Sequence, residues 1–444
     1  KMRLILFFFL FGLNSIAQEV REHVLGFATS NTFTYCDVND TSFIDKVKEL
    51  NPKVLRFPGG AVGNFYHFGG KGYGFDFEEI DNYHSGKFPK RSRGLENYRR
   101  KRNQEYDYIE DFIVLAKATN SKAILVANMF INNDDILNMI SKLDKNDIEV
   151  IGVELGTELS NRSYYKNGYT IDDYLYSAKV VSAKVKLLYP DIKTAIVAAP
   201  LGKRMGHRHN VWNSKLAAED FYDAIVIHSY SKVIKGDDEY GQMISEENEG
   251  GKQKAFELYK GRALKYLEDD YPKEVQEYVN IFDKPIWVTE WNLQMSKTTA
   301  NTLFQSLFVS QYVLEVLSNP ELAAIELTTY HNLGGRDFTG SIFRNEKDKI
   351  HIQSTYYPFF MLGKIFENDV VRIERIKNKE LFEYQCFDIV NNQILNYKID
   401  WKFKVIICDD FSEKGSVASI KYESPNLFDK ADVKGQLQLE FIID

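Results

Sequence analysis

A chain of 444 residues is long enough for one large domain and a smaller companion. Apolar residues make up 44 %, which excludes a disordered chain, and a formal net charge of −7 argues against general nucleic-acid binding. Cys36, Cys386 and Cys408 are too few for a disulfide framework and lack metal-ligand spacing; a single Cys386–Cys408 bridge and buried free thiols both stay open.

The chain begins with Arg3, an apolar run from Leu4 to Leu13, and small residues at Ser15 and Ala17, the pattern of an export signal over residues 1–17. That run is too short to span a bilayer, and no later segment reaches ~18 apolar residues. The expectation is a secreted or periplasmic protein with no membrane span.

Apolar runs of strand length follow at 24–28, 54–57, 123–128, 150–155, 194–198, 224–228, 286–289 and 324–329. Helix-like stretches lie among them at 43–50, 107–118, 134–143, 171–188, 252–268 and 302–317, with a last one at 356–366. Strand–helix alternation predicts parallel strands with right-handed crossovers, and near-continuous apolar strands predict burial on both faces. Eight such units predict an α/β fold, a (β/α)8 TIM barrel over residues 18–368; a doubly wound open sheet is the competing arrangement. From 369 to 444 the pattern changes to period two, with runs at 371–376, 381–387, 394–399, 405–408 and 437–443 separated by turn residues. This predicts a C-terminal all-β, sandwich-like domain.

In a barrel the catalytic groups gather where strands end. Strand two ends in Arg56-Phe57-Pro58-Gly59-Gly60, strand three in Asn128, and strand four in Thr157-Glu158. Strand six ends in His228-Ser229-Tyr230, strand seven in Glu290-Trp291-Asn292, and strand eight in Tyr330-His331-Asn332. Two carboxylates across one sugar can serve as acid and nucleophile, and their separation sets the stereochemical outcome. Glu290 is read as the attacking group and Glu158 as the proton donor and acceptor, which asks for a low pKa at Glu290 and a raised one at Glu158. Arg56 and Tyr230 are candidates to hold Glu290 ionised. Each candidate also has a structural reading: an ion pair for Arg56, a satisfied polar core group for His228 or Tyr230, and core aromatics for Trp291 and Tyr330. Glu154 is a rival acid, on the Glu158 face but deeper. No clear His/Asp ligand set and no P-loop or dinucleotide spacing occurs, so neither metal nor cofactor is expected.

The stretches Arg-Phe-Pro-Gly-Gly, Thr-Glu-Trp-Asn and Tyr-Tyr-Pro-Phe-Phe resemble the α-L-arabinofuranosidase and heparanase-like β-glucuronidase branches of the clan A retaining glycoside hydrolases. The resemblance covers roughly residues 23–368 and the trailing β domain in outline. It implies Glu158 as acid/base, Glu290 as nucleophile, and Arg56, Asn128, His228 and Tyr230 around the −1 sugar. The clan usually has Asn before its acid/base, contacting the sugar 2-hydroxyl; this chain has Thr157. A catalytically inactive glycan-binding protein derived from such a hydrolase is the alternative.

Two basic stretches fall in loops on the expected catalytic rim. Lys87, Lys90, Arg91, Arg93, Arg99, Arg100, Lys101 and Arg102 follow strand two, opposed by Glu96; Lys203, Arg204, His207, Arg208 and His209 follow strand five. Positive loops on an acidic protein point to an anionic carbohydrate partner, uronic-acid-containing or sulfated.

Overall fold

Eight short strands carry side chains that are apolar almost throughout, and they close on themselves. β1 (Gly26–Ala28), β2 (Val54–Phe57), β3 (Lys122–Val126), β4 (Val150–Leu155), β5 (Lys193–Val197), β6 (Ala224–Ser231), β7 (Ile286–Leu293) and β8 (Ile325–Tyr330) form a parallel barrel in chain order. β1 pairs back onto β8, with Gly26 opposite Thr329. Gly26 is required there, because a Cβ would stand 2.4 Å from the Thr328 carbonyl oxygen. The computed structural model describes residues 20–30, 32–70, 73–83, 106–131, 134–202, 206–235, 249–294, 298–335, 340–346, 349–412, 417–423 and 440–443. The export-signal segment 1–17, the basic stretch 87–102, and Lys203 and Arg204 lie outside those residues, as does the side chain of His207.

The barrel helices start where the sequence supplies caps. Asp107 accepts from the Ile109 amide, and Thr170 forms a reciprocal box with Asp173. The helix expected at 252–268 runs Glu249–Lys265 and passes through a π-helical turn, Tyr266–Asp270, into an unforeseen helix, Tyr271–Phe282. That helix has Pro272 in its first turn and buries Val275, Tyr278 and Phe282 at helical spacing. β6 and β7 run three and four residues past their expected ends, because Ser229, Tyr230 and Ser231 stay paired with Trp291, Asn292 and Leu293.

A small sheet of β9 (Gly334–Gly335), β10 (Phe343–Glu346) and β11 (Lys349–Ile352) follows β8. The C-terminal region is one six-stranded antiparallel sheet: β12 (Arg372–Asn378), β13 (Leu381–Phe387), β14 (Gln393–Asp400), β15 (Val405–Asp410), β16 (Ala418–Glu423) and β17 (Glu440–Ile443). β16 was not among the expected strands. The sheet lies on the helices Leu303–Ser318 and Tyr356–Gly363. Tyr384 donates to Glu315 Oε1 at 2.6 Å, Trp401 Nε1 to Gln311 Oε1 at 2.6 Å, and Tyr397 to the Met361 carbonyl at 2.7 Å. Helix Leu303–Ser318 is thus covered by barrel and sheet alike, which explains why it is buried all round, its polar Gln311 and Glu315 included. Cys36, Cys386 and Cys408 are buried free thiols, so the Cys386–Cys408 alternative resolves to no bridge.

Candidate active site

The position of Glu290 depends on a bulge in β7. Against β6 the register runs Ile227 to Val288 and then His228 to Glu290, leaving Thr289 as an extra residue. Against β8 it passes from Val288–Thr328 to Trp291–Tyr330, again with one residue too many on β7. On an unbroken strand Trp287 and Trp291 would share a face. They do not. Trp287 lies inside the barrel, donating to Glu326 Oε2 at 2.9 Å and filling the space that a Cβ on Gly152 of β4 would need. Trp291 stacks on Tyr312 of the outer helix, centroids 4.0 Å apart. The bulge reverses the phase between them and turns Glu290 inward.

Inside, Glu290 meets a fixed positive environment. Arg56 reaches across from β2 and donates through Nη1 to Glu290 Oε1 at 3.0 Å. Its Nε and Nη2 hold both oxygens of Glu154, at 2.6 and 2.9 Å, and Nη2 also donates to Thr157 Oγ1 at 3.1 Å. This fork occupies the guanidinium on two sides, and Arg56, Glu154 and Thr157 are fully buried. Tyr230 donates to Glu290 Oε2 at 2.6 Å, and the Nδ1 atoms of His228 and His331 each stand 3.6 Å from that oxygen. Burial pushes the Glu290 carboxyl up, but the charges of His228, His331 and Arg56 and the Tyr230 hydrogen bond outweigh it and hold the group well below the usual carboxylate range. Burial and the neighbouring Glu290 charge raise the Tyr230 hydroxyl, so it stays a neutral donor.

Glu158 is held differently. It follows Gly156, whose φ is +82°, and itself adopts φ +49°, a conformation that costs a non-glycine residue energy and marks a constrained turn. Gly156 also needs its missing Cβ, which would meet Leu159 Cδ1 at 2.4 Å. The turn is tied down by Asn64, whose amide accepts from Thr157 N at 2.9 Å and donates to the Thr157 carbonyl at 2.7 Å. Glu158 Oε1 then meets His228 Nδ1 at 3.0 Å, and Oε2 accepts from Asn161 at 2.9 Å. Its side chain is 37 % exposed, against 7 % for Glu290, so the two carboxylates form the open wall and the closed floor of one cleft. Oxygens of both, together with His228 Nδ1, lie within 4.8 Å of one another.

The protonation of Glu158 departs from expectation. Burial raises its pKa, yet the contact with charged His228 lowers it further, and the net direction is down. Burial lowers His228, and the charge of Glu290 with the Glu158 hydrogen bond raises it above the ordinary imidazole value. The proton across the 3.0 Å contact therefore rests on His228, and Glu158 is ionised, opposite to the raised pKa expected of it.

Several expected site residues lie elsewhere. Trp291 and Tyr330 are buried in the layer between strands and outer helices, edge to face at 5.1 Å; they are core, not sugar platforms. Asn292 is buried and engaged with the His331 carbonyl at 2.7 Å and with Gln305 at 2.9 Å, bracing the loop after β8. Thr157 is covered by Arg56, so it offers no surface to a sugar. Asn128 lies two residues past the end of β3, and its amide is taken by Tyr66 O at 3.3 Å and Phe130 N at 3.0 Å. Arg56, Glu158, His228, Tyr230 and Glu290 are brought together. Glu154, the rival acid, is the buried partner of Arg56. Sequence reasoning missed Asn64, Asn161 and the part played by His331; only His331 carried a signal, as a histidine directly after β8. On the rim, Arg208 lies over the Tyr165 ring at 5.4 Å, whereas burial of His209 holds its pKa down and removes it from the positive set.

No protein-family model and no curated protein matches the chain in sequence. Its fold does match solved structures. An α-L-arabinofuranosidase from Thermotoga maritima, in complex with arabinose, superposes with a TM-score of 0.56 at 15 % identity, covering 91 % of this chain and 82 % of that one. A family 51 α-L-arabinofuranosidase from Bifidobacterium longum gives 0.59 at 10 % identity, covering 96 % and 93 %. A family 51 arabinofuranosidase from Xanthomonas axonopodis pv. citri gives 0.55 at 11 % identity, covering 92 % and 83 %. The chain shares the two-domain fold of these glycoside hydrolases, a closed eight-stranded parallel barrel carrying an antiparallel all-β domain.

Proposed function

We propose that the protein is a retaining glycoside hydrolase acting on a polysaccharide or oligosaccharide by double displacement. The observation that carries this reading is the carboxylate pair: one oxygen of Glu158 and one of Glu290 lie within 4.8 Å of each other, which favours the close pairing of retaining enzymes (~5–5.5 Å) over the ~6.5–9.5 Å that admits a water between the carboxyls. Glu290, ionised by Arg56 and by the Tyr230 hydrogen bond, attacks the anomeric carbon. Glu158, the more exposed of the two, passes to the leaving oxygen the proton it receives from His228 and then takes one from water. Both carboxyls rest below the ordinary value: His228, His331, Arg56 and the Tyr230 hydrogen bond hold the nucleophile ionised, and His228 is the proton store on which Glu158 draws.

The substrate class follows from the sequence of the rim. The basic stretches after β2 and β5 support a uronic-acid-containing or sulfated glycan, and the export-like segment supports action outside the cytoplasm. The similar structures are arabinofuranosidases, so arabinose-based chains belong in any substrate panel. The test is reducing-sugar release from neutral and anionic polysaccharides beside a Glu290→Gln control. Release from an acidic glycan that vanishes in the control is the expected result. Release from neutral chains alone would remove the anionic reading and keep the hydrolase; glycan binding with no release would favour the inactive relative instead.

A further inference from the structure

The sequence offers no recognisable metal-ligand set, yet the fold assembles one. His228 Nδ1 stands 3.0 Å from Glu158 Oε1 and 3.6 Å from Glu290 Oε2, and one ligand atom from each of the three residues lies within 4.8 Å of the others. Neighbouring ligands on a tetrahedral zinc ion, with bonds of ~2.0–2.1 Å, sit about 3.3 Å apart, close to the two shorter separations. The imidazole is aimed: Nε2 meets Thr289 Oγ1 at 3.3 Å, the kind of outer contact that fixes a ligating ring and directs its other nitrogen inward. A second imidazole nitrogen, His331 Nδ1, lies 3.6 Å from the same Glu290 oxygen.

We propose that Glu158, His228 and Glu290 form a binding site for a zinc-class divalent ion, which on binding displaces the proton that His228 Nδ1 directs at Glu158. One nitrogen and two carboxylates suit zinc. They do not suit magnesium or calcium, which demand six or more ligands that are mostly oxygen. The bound ion takes the same carboxylate oxygens that the proposed reaction uses, so it blocks hydrolysis. That consequence rests on the hydrolase reading; the binding itself does not.

Titration calorimetry of zinc chloride into the full chain, with magnesium chloride as comparison, tests the site. The expected result is one zinc per chain, no measurable magnesium binding, and affinity at least about tenfold weaker in both Glu158→Gln and His228→Ala. Melting curves without metal would establish that each variant is folded; Glu158 is exposed enough that its variant keeps the test valid should His228→Ala unfold. Zinc binding unchanged in both variants, or matched by magnesium, would overturn the proposal. If zinc binds through His228 while no glycan is cleaved, the metal site stands and the hydrolase reading falls. If a glycan is cleaved but zinc neither binds nor slows release, the reverse holds.

Discussion

The two faces of β6 and β7 divide the work of the molecule. Towards the barrel axis stand His228, Tyr230 and Glu290, polar groups that bond to one another, to Glu158 and to Arg56. Away from it stand Trp291, stacked on Tyr312, and Ser229, which hydrogen-bonds Tyr266 of the π-helical turn. Residues one apart in sequence therefore belong to different systems, one carrying charge and the other carrying packing. The difference teaches that a motif such as Thr-Glu-Trp-Asn is not a unit of function. A single bulge assigns its members to opposite sides of a strand.

Trp291→Ala is the strongest way to break that division. It deletes a fully buried ring that touches Tyr312, Tyr330 and Phe359, a loss of about 3–5 kcal/mol by the usual cost of aromatic-to-alanine changes in cores. Urea denaturation should show the loss, while hydrolysis per folded molecule changes little. Full stability with lost activity would place Trp291 in the cleft and refute the phase reversal. Glu290→Gln, one residue earlier, should do the opposite.

A smaller effect is expected at the boundary of the two systems. Glu154 touches no solvent, yet it fixes the guanidinium that charges Glu290. Glu154→Gln keeps a hydrogen-bond acceptor but removes the charge, costing about 1.5–3 kcal/mol as for bonds to charged groups. Because the fork on Arg56 loosens and the guanidinium is less well aimed at Glu290, kcat should fall more than KM rises. A variant that is destabilised but keeps its kcat would make Glu154 purely structural.

The barrel was legible because its strands are buried on both faces and its helices on one, and burial writes itself into composition. That Glu158 and Glu290 meet at one cleft was legible because both stand near the C-terminal ends of barrel strands, where the loops converge. What failed to show was orientation. On sequence alone Trp291 is open to both a sugar-facing and a core reading, and nothing in Val288-Thr289-Glu290 announces the extra residue that turns it outward. The closure of Thr157 beneath Arg56 was equally hidden, since it depends on Asn64, a residue 93 positions away. The second helix between β6 and β7 was not expected; it starts with Pro272 in its first turn, where proline is tolerated.

The outer layer holds one acid whose electrostatics invert those of Glu290, and this gives the mildest test of the comparison. Glu274, on the helix Tyr271–Phe282, is partly buried, and burial with the nearby charges of Glu277 and Asp270 raises its pKa from 4.5 to about 7. No cation offsets that shift, in contrast to the cation-rich setting of Glu290. A carboxyl whose folded-state pKa is raised stabilises the fold most fully below its unfolded value, and this contribution is lost as pH rises through the folded one. The melting temperature of the parent should therefore carry a downward component between pH 4.5 and about 7 that Glu274→Gln lacks. The two should coincide near pH 4.5, and the variant should melt a few degrees higher at pH 8, with glycan hydrolysis unaffected. Parallel melting curves across this range would mean that Glu274 is solvated, and that the outer layer exerts no electrostatic strain for the inner face to be contrasted with.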